Sequence, residues 1–248
     1  VTGEPLLGSV EELNSLELDL STGRLPLVLE AARQLAKSRP EADIRIPLSG
    51  PFSIACHLMG MENMICELFS APETARKALL HLAQNQLKFG RAALREGFGI
   101  SLFESSVTPP LLSPQLFGDC AAPALTLLCK ELSGPDGVQL IIGGDTVHIL
   151  DAICAASPTY IICPVETDQE HFMKRMEELD PERQIRVRVN MKPGVFLPTQ
   201  RLAARAEAEG ALDLARRREG SLIGALIPLD ADPALTREVS DFIERSVP

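Results

Sequence analysis

The chain has 248 residues, 45% hydrophobic and 23% charged, and its 34 acidic against 24 basic side chains give a formal net charge of −10. A chain this acidic, with no Trp and one Tyr, lacks both the positive surface and the stacking platforms that nucleic acid requires. The length suits one well-buried α/β domain, and no run of about 18 apolar residues exists that could span a bilayer.

In chain order, short apolar runs alternate with longer amphipathic ones. Residues 25–38 read as a helix, 44–48 as a strand, and 53–69 and 72–96 as helices. Strand 98–103 comes next, followed by helix 113–132. Four further pairs complete the series: strand 138–142 with helix 146–156, strand 159–163 with helix 169–179, strand 185–189 with helix 199–218, and strand 222–227 with helix 233–245. Ser113-Pro114 and Asp232-Pro233 are helix starts, a capping side chain followed by a proline suited to the first turn.

Strands alternating with helices imply a parallel sheet covered by helices. No internal repeat or linker divides the chain, and Gly134-Pro135-Asp136-Gly137 reads as a turn, so residues 1–248 are expected to form a single domain. Six strands are compatible with an open doubly wound sheet or with part of a barrel. The six cysteines, Cys56, Cys66, Cys120, Cys129, Cys154 and Cys163, are dispersed and mostly lie in apolar segments. That spacing points to reduced thiols in a cytoplasm, and no secretory signal is seen at the start.

The run Ser49-Gly50-Pro51-Phe52-Ser53-Ile54-Ala55-Cys56-His57-Leu58-Met59-Gly60 turns from a strand end directly into a helix. It resembles a signature of the uroporphyrinogen decarboxylase superfamily, which includes haem-pathway decarboxylases and cobalamin-linked methyltransferases. Gly23-Arg24-Leu25-Pro26-Leu27-Val28-Leu29-Glu30-Ala31 is similar to a second family run. So is Leu102-Phe103-Glu104-Ser105 followed by Leu112-Ser113-Pro114-Gln115-Leu116-Phe117. The resemblance implies a (β/α)8 TIM barrel, of which about six of the eight strands fall within this chain. It also implies that the family's N-terminal strands are missing from it.

In such a barrel chemistry belongs to the loops that follow the strands. Here they begin at Ser49, Glu104, Gly143, Pro164, Asn190 and Pro228, and they hold several carboxylates but a single fixed cation, Lys192. A substrate with many carboxylates would find little there to neutralise it. Glu104 ends an apolar strand and serves either as a general acid or base or as a structural carboxylate that accepts backbone N–H groups. Asn190 matches the Asn of a family Gly-Asn pattern, and its amide either orients substrate or ties adjacent loops. These two are the candidate catalytic residues. Ser49, Phe52, Ser105, Asp145, Cys163, Glu166 and Lys192 are candidate substrate contacts, with helix capping the rival role for Asp145 and a surface charge the rival for Lys192. His57 and His148 read as packing residues.

Within the family, enzymes that methylate thiols hold zinc through a His-x-Cys pair and a later Cys. Zinc there makes the acceptor thiol a thiolate. This chain has Ile141 and Gly143 at the first two positions and Leu226 or Ile227 near the third, so no zinc is expected at that site. The resemblance therefore implies a corrinoid-linked methyltransferase without the usual zinc site, using cobalamin on a partner corrinoid protein. Uroporphyrinogen decarboxylation, with a homodimer as its assembly, is the alternative. A non-catalytic member that binds a tetrapyrrole or a partner protein is the third.

Overall fold

The computed structural model describes residues 4–246. Six parallel strands form one sheet: β1 (Arg45–Ser49), β2 (Gly99–Phe103), β3 (Val138–Ile141), β4 (Tyr160–Cys163), β5 (Arg186–Met191) and β6 (Leu222–Ala225). Each strand pairs with the next in sequence, and the order never reverses. A doubly wound sheet needs a switch point where the order turns back, so this topology is an arc of a (β/α)8 barrel. Among the described residues β1 and β6 do not pair with each other, and the arc is open between them.

Helices precede, separate and follow the strands. The main ones are α1 (Leu25–Ser38), α2 (Pro51–Met59), α3 (Met61–Ser70), α4 (Pro72–Arg95), α5 (Ala122–Glu131), α6 (Leu150–Ala155), α7 (Gln169–Leu179), α8 (Arg201–Arg216) and α9 (Pro233–Ser246). Their start signals are visible in the sequence. Pro72 opens α4, the Asp168 carboxylate caps α7 by accepting the His171 N–H at 3.0 Å, and Asp232 accepts the Ala234 N–H at 2.8 Å at the start of α9.

Three expected helices differ in detail, and of these 146–156 is a 3-10 turn over Val147–Ile149 that leads into the short α6. Residues 53–69 form two helices because Gly60 takes a φ of 85°, a conformation that ends α2 before α3 begins. Residues 113–132 form a helical run with a wide turn over Phe117–Ala121, just before Pro123, which has no N–H to return to the preceding turn.

One face of the arc packs on the helices and carries the core. Ile46 and Leu48, Ile100 and Leu102, Val138 and Leu140, Ile161 and Cys163, and Val187, Val189 and Met191 are all buried there. Each large aliphatic side chain buried this way contributes about 1.5–3 kcal/mol. Because side chains alternate along a strand, the intervening residues face the concave side, which is the interior of a barrel. The pairing register sets them in rows: Ser101, Gln139, Tyr160 and Arg186 lie level with one another, and Arg188 stands one row nearer the mouth with Asn190 above it. No helix among the described residues is long and apolar enough to cross a membrane.

Candidate functional site

The first strand-to-helix junction is closed by a buried carboxylate. Glu104, immediately after β2, is wholly buried beneath the N-terminus of α2. It accepts the Phe52 N–H at 3.1 Å, the Ser53 N–H at 2.9 Å and the Ser53 hydroxyl, and the Ser106 N–H also faces it. The Ser53 hydroxyl in turn accepts the Ser105 N–H at 3.1 Å. A helix N-terminus presents unpaired N–H groups and a partial positive charge, and here the protein's own carboxylate fills that position. Gly50 is required beside it, because a Cβ there would collide with the Glu104 carboxyl. Burial pushes the Glu104 carboxyl up to about 7, against the downward pull of the hydrogen bonds.

The other candidate residues separate into those on the concave face or rim and those turned away. Ser49 is exposed on the concave side of β1 and its carbonyl accepts the Gln86 side-chain amide, while Ser105 is exposed on the rim. Phe52 is 1% exposed and belongs to the core. Cys163 is level with Val189, so its thiol points into the helix layer, where burial pushes its pKa up. Lys192 lies outside the concave face: its ammonium is 3.6 Å from Glu207 of α8, whose carboxylate also accepts the Lys192 N–H at 2.9 Å. Glu166 is exposed on the rim. Asp145 joins two loops, accepting the Thr167 hydroxyl at 2.7 Å while its other oxygen lies 3.4 Å from His148 Nε2. His57 is exposed, its Nδ1 hydrogen-bonded at 2.6 Å to the Ser53 carbonyl.

Asn190 is held by its neighbours. The Gln169 amide donates to the Asn190 carbonyl at 2.9 Å and to the Cys163 carbonyl at 3.2 Å, which ties the ends of β4 and β5 together. The Arg188 Nε–H donates to the Asn190 Oδ1 at 2.9 Å. The Arg188 guanidinium also lies 6.0 Å from the centroid of the Tyr160 ring. Burial raises the Tyr160 phenol, and the adjacent Arg188 opposes that rise. In the row below, the Ser101 hydroxyl donates to Gln139 Oε1 at 2.9 Å.

Arg188 and Arg186 are functional candidates absent from the loop inventory. The run Arg186-Val187-Arg188-Val189-Asn190 carries their signal, because strict alternation marks a strand with one apolar and one polar face. Arg45 also starts on the concave side, yet it is occupied. It pairs with Asp43 at 2.6 Å and donates to the Gly137 carbonyl at 3.1 Å. Arg188 forms no ion pair among the described residues.

The positions corresponding to the family's zinc ligands hold Ile141, Gly143 and Leu226 or Ile227, none with a ligating atom. Among the described residues no group of three or more His, Cys, Asp or Glu is arranged to hold a metal. These positions do not offer zinc its usual ligands.

Comparison with known proteins agrees with this architecture. A family model described as uroporphyrinogen decarboxylase (URO-D) matches residues 1–244. A methylated-thiol–coenzyme M methyltransferase of Methanosarcina mazei is 32% identical over 134 residues, which are 53% of this chain and 36% of that protein. The matched portion thus spans about a third of the length of that relative. A solved methyltransferase from Methanosarcina mazei superposes with a TM-score of 0.74 at 20% identity, covering 97% of this chain and 71% of that one, a likeness of fold. With the family model covering nearly the whole chain, the protein belongs to the uroporphyrinogen decarboxylase family.

Proposed function

We propose that the protein transfers methyl groups in a corrinoid-linked reaction, with the corrinoid presented by a partner protein at the open mouth of the arc. The observation that carries this reading is the 32% identity to a methyltransferase, over about half of this chain. The rim is consistent with it. Phe103, Leu111, Leu226, Ile227 and Leu229 all expose apolar side chains at the C-terminal ends of the strands, and these would meet the face of the macrocycle. A bound corrinoid supplies a cobalt centre that accepts and releases a methyl group.

The chain's own residues bind and orient the other reactant. Asn190, fixed by Gln169 from outside and Arg188 from within, directs a substrate on the concave face. Glu104 has its carboxyl wrapped by donors and no exposure to the mouth. Its part is to hold the α2 N-terminus and the Ser105 loop in place, as a positioning residue. Asp145 and Thr167 fix the β3 and β4 loops against each other in the same way.

The decarboxylase reading is favoured by one specific observation, the arginines on the concave face. Of these, Arg45 is tied to Asp43 and to backbone carbonyls at the far end of the strands, Arg186 lies one row below Arg188, and only Arg188 stands near the mouth. One guanidinium near the mouth is a poor match to the eight carboxylates of uroporphyrinogen. The test is to incubate the protein with reduced cobalamin and a panel of methylamines, methoxylated compounds and methylated thiols, following the absorbance of methylcobalamin. Methylcobalamin formation above the protein-free rate supports methyl transfer. Stepwise loss of carboxylates from uroporphyrinogen III, with no methylation of cobalamin, overturns it in favour of decarboxylation. Tight corrinoid binding without either turnover would assign a binding role.

A further inference from the structure

We propose that Arg188, Asn190 and Tyr160 form a subsite for one oxyanion group, a carboxylate or a sulfonate, on the small molecule held by the concave face. The argument begins with hydrogen-bond direction. The Arg188 Nε–H takes up the carbonyl oxygen of the Asn190 amide, which leaves that amide to present its NH2. The two terminal nitrogens of the guanidinium have no carboxylate among the described residues. Arg188 also hydrogen-bonds the Tyr160 phenol, so the group offers the remaining guanidinium N–H donors and the Asn190 NH2, a set dominated by donors that suits an anion.

The position is also built to hold the guanidinium still. Arg188 passes so close to β6 that a Cβ at Gly224 would lie 2.5 Å from its Cδ and 2.9 Å from its Nε. On the other side it lies over the Tyr160 ring, which is itself 4% exposed. A half-buried guanidinium restrained on both flanks has already lost much of its freedom, so a ligand that pairs with it pays little further ordering entropy.

The surroundings limit the ligand to one charge. Glu166, Asp168 and Asp230 are exposed on the loops above, and the chain as a whole carries −10. A polyanion would be repelled at this rim, whereas a small molecule with one anionic end and an apolar remainder can place that end on Arg188. The subsite deepens the methyl-transfer reading, on which it rests only in treating the concave face as the substrate chamber.

The test requires no turnover, so its failure is separable from failure of methyl transfer. The 15Nε–1H signal of Arg188, assigned by its loss in Arg188→Lys, is followed while sodium acetate or sodium methanesulfonate replaces sodium chloride at constant ionic strength. A saturable shift with at least one of the two probes is expected, acetate marking a carboxylate subsite and methanesulfonate a sulfonate one. Arg188→Met should weaken that probe about tenfold or more, as read from ligand-observed NMR. Gly224→Ala, which keeps the charge but displaces the side chain, should weaken it too. Should Arg188→Met not fold, Arg188→Gln takes its place. An Arg188 signal that moves no more with either probe than with chloride overturns the proposal, as does undiminished binding in the folded Arg188 variant.

Discussion

Arg218 lies against the start of β5, Arg188 lies within it, and the two have opposite fates. Arg218, after α8, is 2% exposed and pairs with Asp180 just before β5. It also donates to the Asp180 carbonyl at 3.0 Å and to the Ile185 carbonyl at 3.2 Å from Nε and 3.0 Å from Nη2. The second Asp180 oxygen accepts the Gln184 N–H at 3.1 Å, so both partners are satisfied within the protein. Arg188, half-buried on the concave face, hydrogen-bonds Asn190 and the Tyr160 phenol and has no ion-pair partner among the described residues. A buried charge surrounded by its full complement of partners holds the scaffold, whereas a partly buried charge with donors to spare is available to a ligand. The carboxylates divide in the same way: Glu104 is enclosed by four donors, while Glu166 stands free on the rim.

The sharpest way to break this comparison is to remove Arg218. Arg218→Met leaves Asp180 buried without its counter-charge, and the loss of one partner from a buried pair costs about 3–5 kcal/mol. Urea denaturation should show the midpoint falling by that equivalent, with little change in slope. A loss under about 1 kcal/mol would mean that Asp180 finds enough compensation in the Gln184 and Ile185 amides, and the distinction between the two arginines would lose its force.

Glu104 gives the next largest effect and adds a pH signature. Its folded pKa, about 7, lies above the value of 4.5 expected of the unfolded chain. The fold therefore favours the protonated form. The associated stability is fully present below about pH 4.5 and is lost as pH rises through about 7. Over that window wild type should lose on the order of 2–3 kcal/mol relative to Glu104→Gln, which cannot ionise. The check is the difference between their unfolding free energies across pH 4.5–8. A difference that is flat with pH would show that the hydrogen bonds from Phe52, Ser53 and Ser106 offset burial and return the carboxyl to its value in the unfolded chain.

Most of the scaffold is legible in the sequence because punctuation and capping are local. Ser113-Pro114 and Asp232-Pro233 announce helix starts that are present, and the alternation of strand with helix implies the parallel sheet. The break at Gly60 was harder to read, because apolar residues continue at helical spacing on both sides of it. The site is less legible for a physical reason. A period of two shows that residues alternate but not which set faces the helices, so Cys163 reads as a pocket residue although it points into the helix layer. Arg188 escapes an inventory of loops because it lies inside a strand. Lys192 is on a loop, but only the fold brings Glu207 of α8 beside it. Contacts between residues distant in sequence decide which charges are occupied.

The smallest effect is expected where the ligand argument is strongest. Arg188→Met keeps the aliphatic stem over Tyr160 and removes a charge with no ion-pair partner, and it frees Asn190 Oδ1 toward the solvent-accessible concave side. Its unfolding free energy should stay within about 1 kcal/mol of wild type, and an increase would also be consistent, since an unpaired, partly desolvated guanidinium lowers stability. This outcome separates a functional arginine from a structural one: Arg218→Met and Arg188→Met exchange the same atoms, one packed against the residues that lead into β5 and one within its polar row. A loss at Arg188 comparable to that at Arg218 would place it in the scaffold. A near-neutral substitution that also abolishes the response to acetate or methanesulfonate would mean that the fold retains this side chain for what it binds.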